Sequence, residues 1–160
     1  TGATLRRATV TNARLVGASL KEAVVSDADL EQSTFAGANL QRVDLSRSRL
    51  SDTNLSGSNL IEARLRETEL SNANLEAARL LQTNLERASL TGVRMARAQL
   101  TGANLSRAHL ANANIYPSQL RQVSTLAHAQ LGEELAEVVY SDARLLNKLQ
   151  GQKSDLSALE

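Results

Sequence analysis

The chain has 160 residues, with 18 Lys+Arg against 17 Asp+Glu and a formal net charge of +1, a balance that suits neither a strongly basic nucleic-acid binder nor an acidic mimic of nucleic acid. No cysteine is present, which excludes disulfides, thiolate nucleophiles and Cys-ligated zinc or iron–sulfur centres. Phe35, Tyr116 and Tyr140 are the only aromatic residues, too few for a base-stacking platform, and no apolar run approaches the roughly 18 residues a membrane-crossing helix needs.

From Leu5 to Ile115 every fifth residue is apolar, giving 23 centres, of which 18 are Leu, 2 are Val and one each is Phe, Met and Ile. Two residues before each centre stands a small side chain, Ala in 15 cases and otherwise Ser, Thr or Val. A period of five fits neither the 3.6 of a helix nor the 2 of a strand. It fits a coil of short straight faces, with the centre and the small residue pointing in and the other three pointing to solvent. Gly17, Gly37, Gly57, Gly92 and Gly102 fall two residues after a centre, where a corner would need permissive dihedrals. Leu30, Phe35, Leu55, Leu75 and Met95 are expected in the core, with Phe35 and Met95 on one face as fillers.

Segments such as Ala38-Asn39-Leu40, Ala73-Asn74-Leu75 and Ala103-Asn104-Leu105 resemble the pentapeptide-repeat family. The resemblance runs unbroken over residues 1–115, with Asn or Asp before the centre in nine repeats. It implies an all-β solenoid, a right-handed quadrilateral β-helix with four pentapeptides per coil. The charges support 20 residues per coil independently. Within 1–115, spacing 20 gives ten opposite-sign pairs and one like pair, while spacing 15 gives four and six. The predicted ladders are Arg7–Asp27–Arg47–Glu67–Arg87, Glu22–Arg42–Glu62, Asp29–Arg49–Glu69, Asp44–Arg64 and Arg66–Glu86. The segment then makes about 5.75 coils, a rod of roughly 28 Å at the ~4.8 Å spacing of paired strands. A single coil cannot stand alone: each buried Leu contributes about 1.5–3 kcal/mol, against about 1–2 kcal/mol of backbone entropy for each ordered residue. Stacking supplies the difference.

After Ile115 the pattern breaks. Residues 116–131 are predicted to hold a short helix from Pro117 to Val123 and a last partial coil in which Leu126, Ala129 and Leu131 regain the rhythm. Residues 132–150 are predicted as one C-terminal helix, with Leu135, Val138, Val139, Leu145, Leu146 and Leu149 at helical spacing. Glu133 and Glu134 suit its start, Lys148 its end, and Gly151 a stop. This helix is expected to cap the open core, since a sheet end left bare invites pairing. Leu135, Val138, Val139 and Leu146 also make a candidate homodimer seam, as C-terminal elements do in some members of the family. Residues 151–160 read as a loose tail. Thr1 opens directly in the repeat register without Met or leader, so the chain is expected to be a processed or excised piece. The compartment stays open, with the cytoplasm favoured over the periplasm or thylakoid lumen.

Signals for chemistry are thin. His109 and His128 have no second ligand at a metal-site spacing, and no phosphate loop, nucleophile elbow or His-Glu-x-x-His helix occurs. Catalytic residues, cofactors and metals are therefore not expected. Two surface features stand out. Arg79, Arg87, Arg94, Arg97 and Arg107 face a lone acid, Glu86, in residues 79–115. They are either the dock for an acidic cap helix carrying Glu133, Glu134 and Glu137 or a site for an anionic partner. Ile61 and Leu81 stack as outward apolar residues, a candidate contact patch.

The leading reading is a non-catalytic scaffold that presents a rigid surface to an unidentified protein partner. The resemblance implies an alternative, a dimeric protector or inhibitor of DNA gyrase that mimics duplex DNA. Against it, residues 1–115 carry 14 basic and 11 acidic side chains, which makes a poor phosphate mimic. Binding of an anionic partner through the arginine-rich coils is a second alternative. Direct nucleic-acid binding and a membrane role are disfavoured.

Overall fold

The computed structural model of the chain describes residues 2–151. In it, the residue before each centre bridges the residue 20 positions on, always in parallel, from Thr4↔Val24 and Thr9↔Asp29 through to Arg94↔Asn114. Around each bridge the hydrogen bonds run both ways: the Leu5 amide donates to the Val24 carbonyl at 2.7 Å, and the Val24 amide donates back to the Ala3 carbonyl at 2.8 Å. The chain therefore winds as a solenoid with 20 residues in each coil and four bridge columns running along it. One residue per pentapeptide is extended enough to pair. Regular strands are accordingly reduced to two-residue pieces, β1 (His109–Leu110) and β2 (Gln130–Leu131), paired in parallel.

Between bridges the chain turns a corner. The amide of Ala8 donates to the Leu5 carbonyl at 3.1 Å, and the same contact recurs from repeat to repeat. The third residue of each turn has a positive φ, +58° at Arg7, +55° at Asn12 and +65° at Gly17. A single left-handed residue at that place is the mark of a type II turn. Glycine takes the place at only some corners. Arg, Glu, Asp, Asn, Gln, Ala and His hold the others, in a conformation that costs a non-glycine residue about 1–2 kcal/mol. Asn or Asp before the centre offsets part of this cost. The side-chain oxygens of Asp29, Asn39, Asp44, Asn54, Asn59, Asn74, Asn84 and Asn104 each accept from the amide two residues on, at 2.9–3.3 Å. These Asx turns hold the entry to each corner. Asn114, the ninth such residue, lies where the repeat ends and makes no such bond.

The core is a stack of the centres. Leu30, Phe35, Leu55, Leu75 and Met95 are all buried. The small inward positions admit hydroxyls without leaving them unpaired: Ser48, Thr68 and Thr83 donate to the carbonyls of Val25, Leu45 and Leu60 in the preceding coil, at 2.8–3.0 Å. Among the described residues no buried side-chain polar atom lacks a partner.

The C-terminal part departs from the sequence reading in two places. Helix α1 covers only Pro117–Leu120, shorter than the predicted run to Val123. It stands where a pentapeptide would otherwise lie, and the coil regains register with one extra residue, Asn104 bridging Thr125. The single helix predicted over 132–150 is two: α2 (Glu133–Ser141) and α3 (Ala143–Leu149). Asp142 separates them with extended dihedrals, φ −109° and ψ 107°. Its carboxylate accepts from the amides of Arg144 and Leu145 at 3.0 and 3.2 Å, so it caps a new helix instead of continuing the old one. Val139 of α2 and Leu145 of α3 join the buried core, with Leu135 and Leu149 packed against it. The predicted tail, beyond Gly151, lies outside the described residues.

Candidate interaction surface

The corner and bridge columns bring many of the laddered charges together. Arg47 binds Asp27 through two nitrogens at 2.7 and 3.0 Å, Arg42 spans Glu22 and Glu62 at 3.7 and 2.8 Å, and Arg87 reaches Glu67 at 3.4 Å. Arg49 meets Asp29 at 3.2 Å, and Arg66 meets Glu86 at 3.7 Å. The Arg47 hydrogen bond holds the Asp27 carboxyl below its ordinary value, and the reciprocal contact raises Arg47, as Glu62 raises Arg42.

Other predicted rungs are not ion pairs. Arg7 does not reach Asp27, whose second partner is Arg6 at 3.5 Å. Arg47 is turned toward Asp27 and makes no pair with Glu67. Arg49 places its other nitrogen on Glu31 at 2.8 Å instead of Glu69, and Asp44 and Arg64 bridge through the backbone alone. Long side chains at neighbouring corners are flexible enough to reach sideways, so a 20-residue column does not fix every partner. Exposed pairs of this kind contribute about 0–1 kcal/mol each.

Ile61 and Leu81 are half-buried, not exposed. Among the described residues the exposed large apolar side chains are Val16, Val24, Tyr116, Val138 and Tyr140. Of the candidate seam, Val138 is exposed and Leu135 and Leu146 are half-buried. Val139 is wholly buried in the core and is not available to a second chain.

The arginine-rich coils divide into two groups. Arg94 bridges Asn74 and Asn114 in one column, Arg79 bridges Asn59 and Gln99 in the next, and Arg97 stands on the corner between them. Arg87 and Arg107 stand on the corner two positions away around the coil, diagonally opposite. Arg79, Arg94 and Arg97 are all exposed, and the nearest acid on their corner is Glu76. The acidic residues of α2 do not dock here: among the described residues neither Glu133, Glu134 nor Glu137 pairs with any arginine, and the ion pair from the helical segment to the coils is Asp142–Arg121 at 2.7 Å. It holds the Asp142 carboxyl below its ordinary value, chiefly through the Arg121 hydrogen bond.

Sequence reasoning missed the polar groups that finish the last coil. The buried Gln119 of α1 donates to the carbonyls of Met95 and Ala98 at 2.8 and 2.9 Å and accepts from the Tyr116 amide at 2.8 Å. Lys148 of α3 donates to the carbonyls of Arg121 and Val123, and burial pushes its pKa down. The signal for Gln119 is present in the sequence: a Pro at the first helical position followed two residues later by Gln is half of a capping box. His109 and His128 are both exposed. His128 stands on a left-handed corner, its amide donating to the Leu149 carbonyl at 2.8 Å. No group of three or more His, Asp or Glu among the described residues is arranged to hold a metal, and no described helix is long and apolar enough to cross a membrane.

The family model for pentapeptide repeats matches residues 1–37, 38–76, 68–107 and 92–124. No curated protein matches the chain. Among solved structures, the chain is similar to HetL, a pentapeptide repeat protein involved in heterocyst differentiation regulation from the cyanobacterium Nostoc sp. strain PCC 7120. The identity is 37% over 68% of this chain, with a TM-score of 0.68. The match spans 46% of HetL, so the chain corresponds to about half of that protein's length. It is also similar to Rfr23, a pentapeptide repeat protein from the cyanobacterium Cyanothece 51142, at 27% identity over 70% of this chain and 87% of that one, with a TM-score of 0.64.

Proposed function

Because the chain belongs to the pentapeptide-repeat family, whose members form right-handed β-helices, we propose that it is a non-catalytic scaffold that presents a rigid, regularly spaced surface to a protein partner. We take the rod as about 5.75 coils at 20 residues each, closed at its C-terminal end by α2 and α3. The bridges at spacing 20 support the first part, and the inclusion of Val139 and Leu145 in the core supports the second.

The observation that carries the choice of surface is the cluster of Arg79, Arg94 and Arg97. Three exposed arginines stand on one corner of a fixed frame and on the two columns that flank it, while most arginines earlier in the rod are occupied by carboxylates. A partner with an acidic surface matches it, since unneutralised charge steers and selects a complementary face. HetL's involvement in the regulation of differentiation accords with a role exercised by binding. The test is capture from an extract of the source cells on the immobilised chain. The partner retained by the wild type should be lost from the Arg79→Glu, Arg94→Glu, Arg97→Glu variant and weakened by added salt. It should persist with Arg42→Glu, on another corner. Equal capture by the triple variant would refute the surface.

A further inference from the structure

The corner column that begins at Arg7 alternates in sign for five rungs and then breaks. Arg7, Asp27, Arg47, Glu67 and Arg87 are followed by Arg107 and His128, all at the same left-handed corner position with φ between +57° and +59°. The upper rungs are joined through the backbone: the Arg87 amide donates to the Ser106 carbonyl at 3.0 Å, and the Arg107 amide to the Ala127 carbonyl at 2.8 Å. Arg107 over Arg87 is the one like-charge pair at spacing 20 in residues 1–115. Arg7, Arg47 and Arg87 each have a carboxylate on an adjacent rung, whereas Arg107 has an arginine below and an imidazole above. Among the described residues Arg107 makes no ion pair, while Arg87 turns to Glu67 at 3.4 Å. On the adjoining bridge column His109 pairs with Gln130 above and Ser89 below. Arg107, His109 and His128 are all exposed.

Like charges on directly opposed strand positions, about 4.8 Å apart, destabilise the pair, and a bound anion would relieve that repulsion. We propose that this corner is a binding site for a tetrahedral dianion, either free sulfate or phosphate or the terminal phosphate of a small molecule. The ion supplies the negative charge that the sequence withholds at the sixth rung. Arg107 is its main donor, through a planar fork that suits oxyanions. His128 above and His109 beside it add N–H donors, and a further charge each when protonated. Glu86, one rung lower, is engaged by Arg66 and Arg87 at 3.7 and 4.0 Å. Helix α3 packs beside His128 through the Leu149 carbonyl and brings Arg144 and Lys148 but no acid within its span. Lys148 is committed to the carbonyls of Arg121 and Val123. The site is independent of Arg79, Arg94 and Arg97, which lie across the rod.

NMR of the full chain tests it, with sodium sulfate exchanged for chloride at constant ionic strength. The Arg107 Nε–H and the ring signals of His109 and His128 should move in a saturable way, and the Arg42 Nε–H should stay in place. Arg107→Gln should weaken binding roughly tenfold or more, the loss of a charge-assisted hydrogen bond. Sulfate keeps both charges between pH 8 and pH 6 while imidazole gains one, so affinity should rise as pH falls. In the His109→Gln, His128→Asn variant that rise should vanish. Arg107→Glu continues the alternation within the chain. Its Tm in chloride should exceed the wild type's and its gain on exchange into sulfate should be smaller, which separates a bound ion from the general effect of sulfate on folding. Phenyl phosphate separates the two sources: saturation by both ions marks a site open to a terminal phosphate, and saturation by sulfate alone a site for the free ion. Shifts that stay linear in sulfate, that added chloride reproduces, that survive Arg107→Gln, or that ignore pH overturn the proposal. Sulfate binding that appears only in the Asp155→Asn, Glu160→Gln variant would assign the corner to the chain's own carboxylates and overturn it equally.

Discussion

Replacing Gln119 with Leu keeps most of the side-chain volume and removes three hydrogen bonds at a site where the residue is 7% exposed. The three groups released are not equivalent. The Ala98 carbonyl has no other donor among the described residues, so it bears the full cost of a stranded buried acceptor, about 1–3 kcal/mol. The Met95 carbonyl retains the turn bond from the Ala98 amide at 3.0 Å and loses less. The Tyr116 amide belongs to an exposed residue and can turn to water. The expected loss is about 3 kcal/mol in urea unfolding, which at this chain length lowers Tm by about 6–12 °C. In a solenoid the loss should appear as fraying of the coils beside α1 before global unfolding, so hydrogen exchange should accelerate around Met95–Leu100 and not around Leu30–Leu50. Gln119→Glu should be worse at neutral pH, because a carboxylate would face two carbonyls, and should recover as acid protonates it. A loss of less than about 0.5 kcal/mol in Gln119→Leu, or exchange that rises evenly along the rod, would refute the argument that this side chain completes the coil.

Three further outcomes are expected. Ala77 is an exposed corner residue at φ +54°, so Ala77→Gly should stabilise the chain by about 0.5–1 kcal/mol by relieving the left-handed strain. The reverse change, Gly57→Ala, meets open space and should cost about 1 kcal/mol; in Gly92→Ala the new Cβ would lie 2.6 Å from the side-chain oxygen of the exposed Asn72, which can swing aside, so chemical denaturation should show a similar loss there. Asp27 and Asp142 have folded pKa values below their ordinary 3.8, so their contribution to stability is present above that value and is lost as pH falls through the folded values. Tm should therefore fall as pH drops below about 4, and by less in Asp142→Asn. Leu75→Arg sets a charge at a fully buried centre and should remove several kcal/mol; a Tm near that of the wild type would contradict the inward assignment of that centre.

The repeat and the family were legible because burial imposes its period on composition: a large centre and a small neighbour must recur wherever the chain returns to the axis. The corners were legible only where glycine marks them. Arg7, Glu22 and Ala77 adopt the same left-handed conformation and carry no compositional sign of it, since the stacked hydrogen bonds impose it against their preference. Charge columns give the spacing of coils, but the partner of Arg49 depends on which carboxylate its long side chain reaches, and Glu31 lies one position round the corner. The break at Asp142 was hidden by an apolar spacing that continues through it, while the deciding signal was a side chain that caps α3. The local half of Gln119's role, its capping contact with the Tyr116 amide, has a sequence signal, but its carbonyl partners lie more than 20 residues earlier, which no local pattern displays.

The bridge spacing of 20 also constrains how such a gene can lengthen or shorten. Removing or duplicating a whole coil leaves every downstream residue on its original side of the rod. Removing one pentapeptide preserves the inward pattern just as well, yet it rotates everything downstream by a quarter turn relative to everything upstream. The Arg94 side would then align with a different set of upstream charges, though no contact residue had been substituted. Slippage in units of five thus re-addresses the surface while sparing the core, a route to new partners that leaves the inward pattern intact.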